Sequence, residues 1–114
     1  MPEKITAQTA ETYIWVNDHI GWHLVKPDTL SVIEEIMHPD TAKQKHYHKL
    51  AQQFFYILEG TATFQIEEQE TTVEPHEGIS ILPGQQHCIY NQTAKHLRFL
   101  IISQPKSHGD RFTD

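Results

Sequence analysis

His46 and His48 stand two residues apart in the stretch Lys45-His46-Tyr47-His48. On an extended strand that spacing sets both imidazoles on one face, with Lys45 and Tyr47 on the other. Two ring nitrogens so placed can share one metal ion. Gln53 opens the next apolar run, in which Gln53, Phe55, Ile57 and Glu59 share a face. His87 follows a Pro83-Gly84 turn at the start of another run. A β-barrel can bring these polar groups together, so the elements that position them are strands.

From about Gln53 onward the chain repeats short runs rich in Val, Ile, Phe, Tyr and Thr, each closed by Gly, Pro, Asn or charged residues. Gln53 to Glu59 and Ala62 to Glu67 read as a hairpin across Gly60-Thr61. Glu70 to Glu74, Ile79 to Leu82, His87 to Tyr90 and His96 to Ser103 follow at regular spacing. Tyr13 to Val16, Gly21 to Lys26 and Leu30 to Met37 read the same way, although Glu34-Glu35 between apolar residues would also suit a helical turn. The fold class is all-β, a sandwich or barrel.

His46-Tyr-His48, Gln53 and Gly60 resemble the first cupin motif, and Gly84-Gln-Gln-His87-Cys-Ile-Tyr-Asn91 resembles the second. The resemblance implies a single cupin β-barrel or jelly roll over residues 1–114, with its motif-bearing core at about 39–91. It also implies a metal held by His46, His48, Gln53 and His87, and a homodimer. Asp40 and His76 stand where the two motifs usually begin with glycine, and Gln53 stands where a glutamate ligand is usual. An amide leaves a divalent ion its full charge, so it binds the ion less tightly than a carboxylate and makes a stronger Lewis acid. Three imidazoles and an amide suit one divalent transition metal, whether zinc, nickel, iron, manganese or copper. The small cupins that open the rings of unsaturated uronates have a similar ligand set. Their final-strand aspartate has no counterpart in Leu100-Ile-Ile-Ser103, so no catalytic residue carries over from them.

The 114 residues carry nine Lys and Arg against 15 Asp and Glu, a formal charge of −6 that argues against nucleic acid and anionic membranes as partners. No secretory signal is expected in the first ten residues, and no apolar run is long enough for a membrane helix. The lone Cys88 suits a reducing compartment, so the expected location is the cytoplasm. Cys88 itself reads as a packed thiol pointing away from the metal. His19, His23, His38, His76, His96 and His108 read as solvated surface residues, and the polar stretch 106–114 as a tail. Arg111 in that stretch is the exception to watch, because a guanidinium holds a carboxylate through two parallel hydrogen bonds. Phe55, Ile57, Glu59 and Arg111 are the candidate contacts for a small-molecule substrate. Glu59, Glu35, Tyr56 and His96 are acid-base candidates wherever their strand faces turn inward.

The activity expected from the resemblance is that of a metal-dependent cupin acting on a small polar organic molecule, of isomerase, lyase or dioxygenase type. The alternative is a non-catalytic barrel that binds or senses a small ligand. The outward-facing Phe54, Tyr56 and Leu58 call for cover by another sheet or a second subunit.

Overall fold

The computed structural model describes residues 2–15, 19–107 and 109–113. Val16, the end of the first expected run, and the surface reading of His108 fall outside them. The described chain forms strands β1 (Glu11–Trp15), β2 (His19–Val25), β3 (Ser31–Met37), β4 (Thr41–Ala42), β5 (Gln52–Glu59), β6 (Ala62–Ile66), β7 (Gln69–Val73), β8 (Gly78–Ile81), β9 (His87–Asn91) and β10 (Leu97–Gln104). They make a six-stranded sheet in the order β1-β2-β3-β10-β5-β8 and a four-stranded sheet in the order β4-β9-β6-β7, with every pairing antiparallel. The architecture is thus the jelly-roll form of the expected fold, two sheets rather than one closed hydrogen-bonded barrel. No helix among the described residues is long and apolar enough to cross a membrane.

Strict alternation produces this arrangement. In β3, β5 and β10 every second side chain is buried, and the buried sets face the other sheet. Met37, Phe55, Ile57, Phe64, Leu97 and Phe99 are each at most 2% exposed and form the core. Phe55 packs edge-on against Phe64 with ring centroids 5.0 Å apart. The helical alternative at Leu30–Met37 loses because both edges of β3 are paired, to β2 and to β10. That pairing turns Ser31, Ile33, Glu35 and Met37 inward, so a carboxylate enters the interior.

Backbone conformation accounts for the unusual motif residues. Asp40 (φ 56°) and His76 (φ 68°) take the left-handed conformation at the two places where glycine is usual. Both are residue types that tolerate it better than most. Gly60 (φ 87°) could not be replaced, since a Cβ there would lie 2.7 Å from the His96 carbonyl oxygen. Asn91, fully buried, donates to the carbonyls of Met37, His38 and Lys95 and so ties the end of β3 to the turn before β10.

The six-stranded sheet keeps an apolar outer face. Ile102 stands between Val32 and Phe54, and Leu100 lies opposite Tyr56. Phe54 is 37% exposed and Ile14, on β1, 71%.

Candidate metal centre

The two halves of the site are joined by backbone. His46 and His87 exchange reciprocal N–H···O bonds of 3.0 and 2.8 Å, and the Gly84 amide donates to the His48 carbonyl at 2.7 Å. His46, His48 and His87 therefore converge, with ligand-capable nitrogens all within 4.8 Å of one another. Each is buried. Each also spends its Nδ1 on a main-chain carbonyl: His46 on Gln44 at 2.8 Å, His48 on Asp110 at 2.6 Å and His87 on Gln85 at 3.0 Å. A carbonyl can only accept, so Nδ1 carries the proton and Nε2 is left as a lone-pair donor.

Burial holds all three imidazoles below the ordinary histidine range, His46 at about 3 and His87 at about 4. Their carbonyl partners oppose the shift without cancelling it. The neutral form that a metal requires is thus the resting form. In the unfolded chain the same rings titrate near 6.5, so unfolding takes up protons below about that pH. Stability from these rings is complete above about pH 6.5 and is lost as pH falls towards 4. The chelator-treated protein should melt at progressively lower temperature between about pH 7 and 4.5, with a shallower slope for His46→Gln. Equal slopes in the two proteins would refute this.

Gln53 stands at the same centre. Its Nε2 donates to Ser103 Oγ at 3.0 Å, which fixes the amide and leaves Oε1 as an acceptor. Gln53 Oε1, His48 Nε2 and His87 Nε2 are all buried without a hydrogen-bond partner. A buried polar atom left unsatisfied costs about 1–3 kcal/mol, and three at one point call for a common partner. A divalent transition ion fits this donor set of neutral nitrogens and an amide oxygen.

The family profile for the cupin domain matches residues 33–103. This chain is a cupin. Over 54 residues the cupin is 28% identical to the tetracenomycin polyketide synthase protein TcmJ of Streptomyces glaucescens, a match covering 47% of this chain and 36% of that protein. The polyketide cyclase RemF of Streptomyces resistomycificus superposes with a TM-score of 0.80 at 19% identity, covering 93% of this chain and 81% of its own. KdgF of a Halomonas species gives a TM-score of 0.84 at 9% identity, covering 94% and 98% of the two chains. At such identities these structures establish the fold alone.

In this cupin His46 and His48 open into a cavity of about 680 Å³ whose lining includes Ile33, Gln53, Phe55, Ile101 and Arg111. Two of the four candidate substrate contacts are thus at this cavity and two are elsewhere. Ile57 is fully buried within the apolar core. Glu59 shares the face of Gln53 only by simple alternation, and the register slips where Arg98 pairs with Glu59 but Phe99 with Ile57. That irregularity puts the exposed Glu59 in a separate cleft with His96 and Arg98.

Two further readings are corrected. His19 and His23 are 1% and 9% exposed, because β2 turns them to its covered face; His19 accepts from the His38 amide at 3.1 Å. The stretch 109–113 is no free tail. Asp110 accepts the amides of Lys49, Leu50 and Ala51 at 2.8–3.0 Å, and Phe112 pairs with Tyr47 through main chain and stacked rings. Arg111 is thereby carried to the cavity, its Nη2 3.4 Å from His46 Nδ1. Sequence reasoning missed Asp110 and Ser103 as the groups that orient His48 and Gln53. It likewise missed the Tyr13 and Lys43 that flank Glu35 in the cavity wall. The one available signal was the isolated Asp110-Arg111 pair in a chain with two arginines.

Proposed function

We propose that this cupin is a metal-dependent enzyme of the isomerase, lyase or dioxygenase type, acting on a small organic molecule that carries a carboxylate. His46, His48, His87 and Gln53 would hold one divalent transition metal, zinc, nickel, iron, manganese or copper. When bound, such an ion supplies Lewis acidity to a substrate oxygen. Arg111 receives the carboxylate, Phe55 lies against the carbon skeleton, and Ile33 and Ile101 keep water from it.

Arg111 is the observation that carries this reading. Its guanidinium lines the cavity beside His46, and among the described residues no carboxylate pairs with it. Burial pulls its pKa down, although Glu35 opposes the shift, so an incoming anion would stabilise the charge. The relatives named for polyketide chemistry are consistent with carbonyl-bearing substrates.

The test uses 2-oxobutyrate and nickel-loaded protein in a calorimetric titration. Wild type should bind the oxo acid, and Arg111→Met should weaken binding about 10- to 100-fold, the loss of a charge-assisted bidentate contact. Equal affinity in both proteins would overturn the assignment of Arg111. Binding without any reaction of the bound acid would favour the ligand-sensing alternative.

The same proposal includes a homodimer and, from Cys88, a reducing cytoplasmic setting. The apolar outer face around Phe54, Leu100 and Ile102 would be the contact. Light scattering at micromolar concentration should give twice the 13.3 kDa chain mass, and Ile102→Lys the single chain mass. A monomeric wild type would refute it.

A further inference from the structure

Facing the same cavity as the histidines is a second polar group that the metal centre does not use. Tyr13, Gly21 and Glu35 lie in one row across β1, β2 and β3, because Tyr13 pairs with Gly21 and Gly21 with Glu35. Gly21 makes the row work. A Cβ at that position would lie 2.2 Å from Tyr13 Cζ, so only a residue without a side chain lets the phenol cross β2. Tyr13 Oη then donates to Glu35 Oε2 at 2.5 Å. From the other side Lys43 Nζ stands 2.7 Å from Glu35 Oε1. Lys43 is itself placed by its main chain, whose amide donates to the Ile89 carbonyl at 2.9 Å.

Glu35 is 5% exposed, and with Tyr13 and Lys43 it lines the cavity that also holds His46, His48 and Arg111. The fold does not require a carboxylate there. A buried ion pair is on average no more stabilising than apolar residues of the same volume, and Ile33 and Ile101 already show that apolar residues suit this wall. Tyr13 occupies one of the roughly four lone-pair positions of the carboxylate and Lys43 meets it as an ion pair, while Oε1 accepts no hydrogen bond, which leaves acceptor capacity for a further partner. The neighbours fix where the oxygens sit. Burial, with help from the Glu35 charge, holds the Tyr13 phenol far above its usual range, so Tyr13 stays a hydrogen-bond donor.

We propose that Glu35 is the general base of this site, positioned by Tyr13 and Lys43, and that it removes a proton from the carbon beside the carbonyl of a 2-oxo acid. The inference rests on the reading above, in which Arg111 receives the carboxylate. In a 2-oxo acid the carbonyl oxygen adjoins the carboxylate and so falls on the side of the histidines. The third carbon then extends towards the apolar wall, where Ile33 and Glu35 alternate on β3. Ile33, Phe55 and Ile101 line the same cavity and offer apolar surface for the carbon chain beside the base. In the step, the proton passes to a Glu35 carboxylate oxygen. The C–H electron pair becomes the new C2–C3 double bond, and the carbonyl π pair moves onto oxygen to give the enolate. Return of a proton to C3 restores the oxo acid, so no oxidant or reductant is consumed.

The experiment follows deuterium entry at C3 of 2-oxobutyrate by proton NMR, with nickel-loaded protein in D2O. Wild type should exchange one of the two C3 hydrogens ahead of the other, because the base stands on one side of the bound acid; free metal exchanges both alike. Glu35→Gln should slow this at least about 100-fold, within the range general bases contribute, with nickel content and 2-oxobutyrate affinity unchanged. If Glu35→Gln does not fold, Glu35→Asp keeps the charge opposite Lys43 and should still lose most of the exchange by withdrawing the base. Tyr13→Phe should lower the saturated rate several-fold while leaving the concentration dependence as in wild type, as a positioning residue would.

Exchange by Glu35→Gln at the wild-type rate overturns the proposal. So does wild-type protein that binds 2-oxobutyrate but exchanges neither hydrogen. Failure of wild type to bind 2-oxobutyrate overturns the carboxylate reading of Arg111 itself, and the role of Glu35 falls with it.

Discussion

Replacing His87 with alanine is expected to abolish stable metal binding. The ring supplies one of three convergent Nε2 atoms and its main chain forms the bridge to His46, but only the ring is lost in the variant. The remaining imidazoles would be left with Gln53 Oε1, a weaker donor than the nitrogen removed. Disturbing a residue that merely orients a ligand costs about 10- to 100-fold in affinity, so loss of a ligand should cost more than about 100-fold. Metal analysis of untagged protein, with a chelator competition for affinity, reads this directly. A linked effect follows on stability: an ion present at about 1,000 times its Kd stabilises the folded state by about 4 kcal/mol, which the variant forfeits. His96→Ala, at an exposed position outside the site, should leave the metal content unchanged. Retention of wild-type metal by His87→Ala would refute the site.

Asp110→Ala should produce the second large effect, although the side chain never faces the metal. The carboxylate gathers three amides of residues 49–51, while the same residue's carbonyl oxygen accepts a hydrogen bond from His48 Nδ1. Burial raises the Asp110 pKa, but the amides of Leu50, Ala51 and Lys49 together lower it more, so the acid is held ionised. Removing the carboxylate frees the segment that supplies the carbonyl. His48 then loses the contact that fixes its tautomer and its ring orientation. We expect metal affinity to fall about 10- to 100-fold. We also expect about 1–3 kcal/mol of stability to be lost, less than three full charge-assisted bonds because water replaces part of them. Asp110→Asn, which keeps one carbonyl oxygen for the amides, should fall between. Wild-type affinity in Asp110→Ala would show that His48 is oriented without the segment.

The strands were legible because alternation is a local property: β3, β5 and β10 show in their burial what they show in their residue order. The His46, His48 pair was legible for the same reason, and His87 because a turn signal places it at a strand start. Glu59 failed at a register slip, which depends on the partner strand and has no counterpart in its own sequence. The link from Tyr13 to Glu35 spans 22 residues and depends on the absence of a side chain at Gly21. Asp110 is about 60 residues from the amides it accepts, so its role exists only once the fold has formed. His19 and His23 sit beside turn residues in sequence yet mid-sheet in space, because neighbouring strands cover β2 on both edges.

The dependence of His48 on Asp110 also orders events in time. Histidines 46, 48 and 87, with the carbonyl of residue 110, cannot meet until both sheets have paired and the segment beyond β10 has folded back. Closing such long loops comes late, after the entropy of local pairing has been offset. A growing or partly folded chain therefore presents His46 and His48 without His87, a weaker site than the three together. An ion held by these three histidines would enter only after that folding, and a chain interrupted before residue 110 lacks the contact that fixes His48.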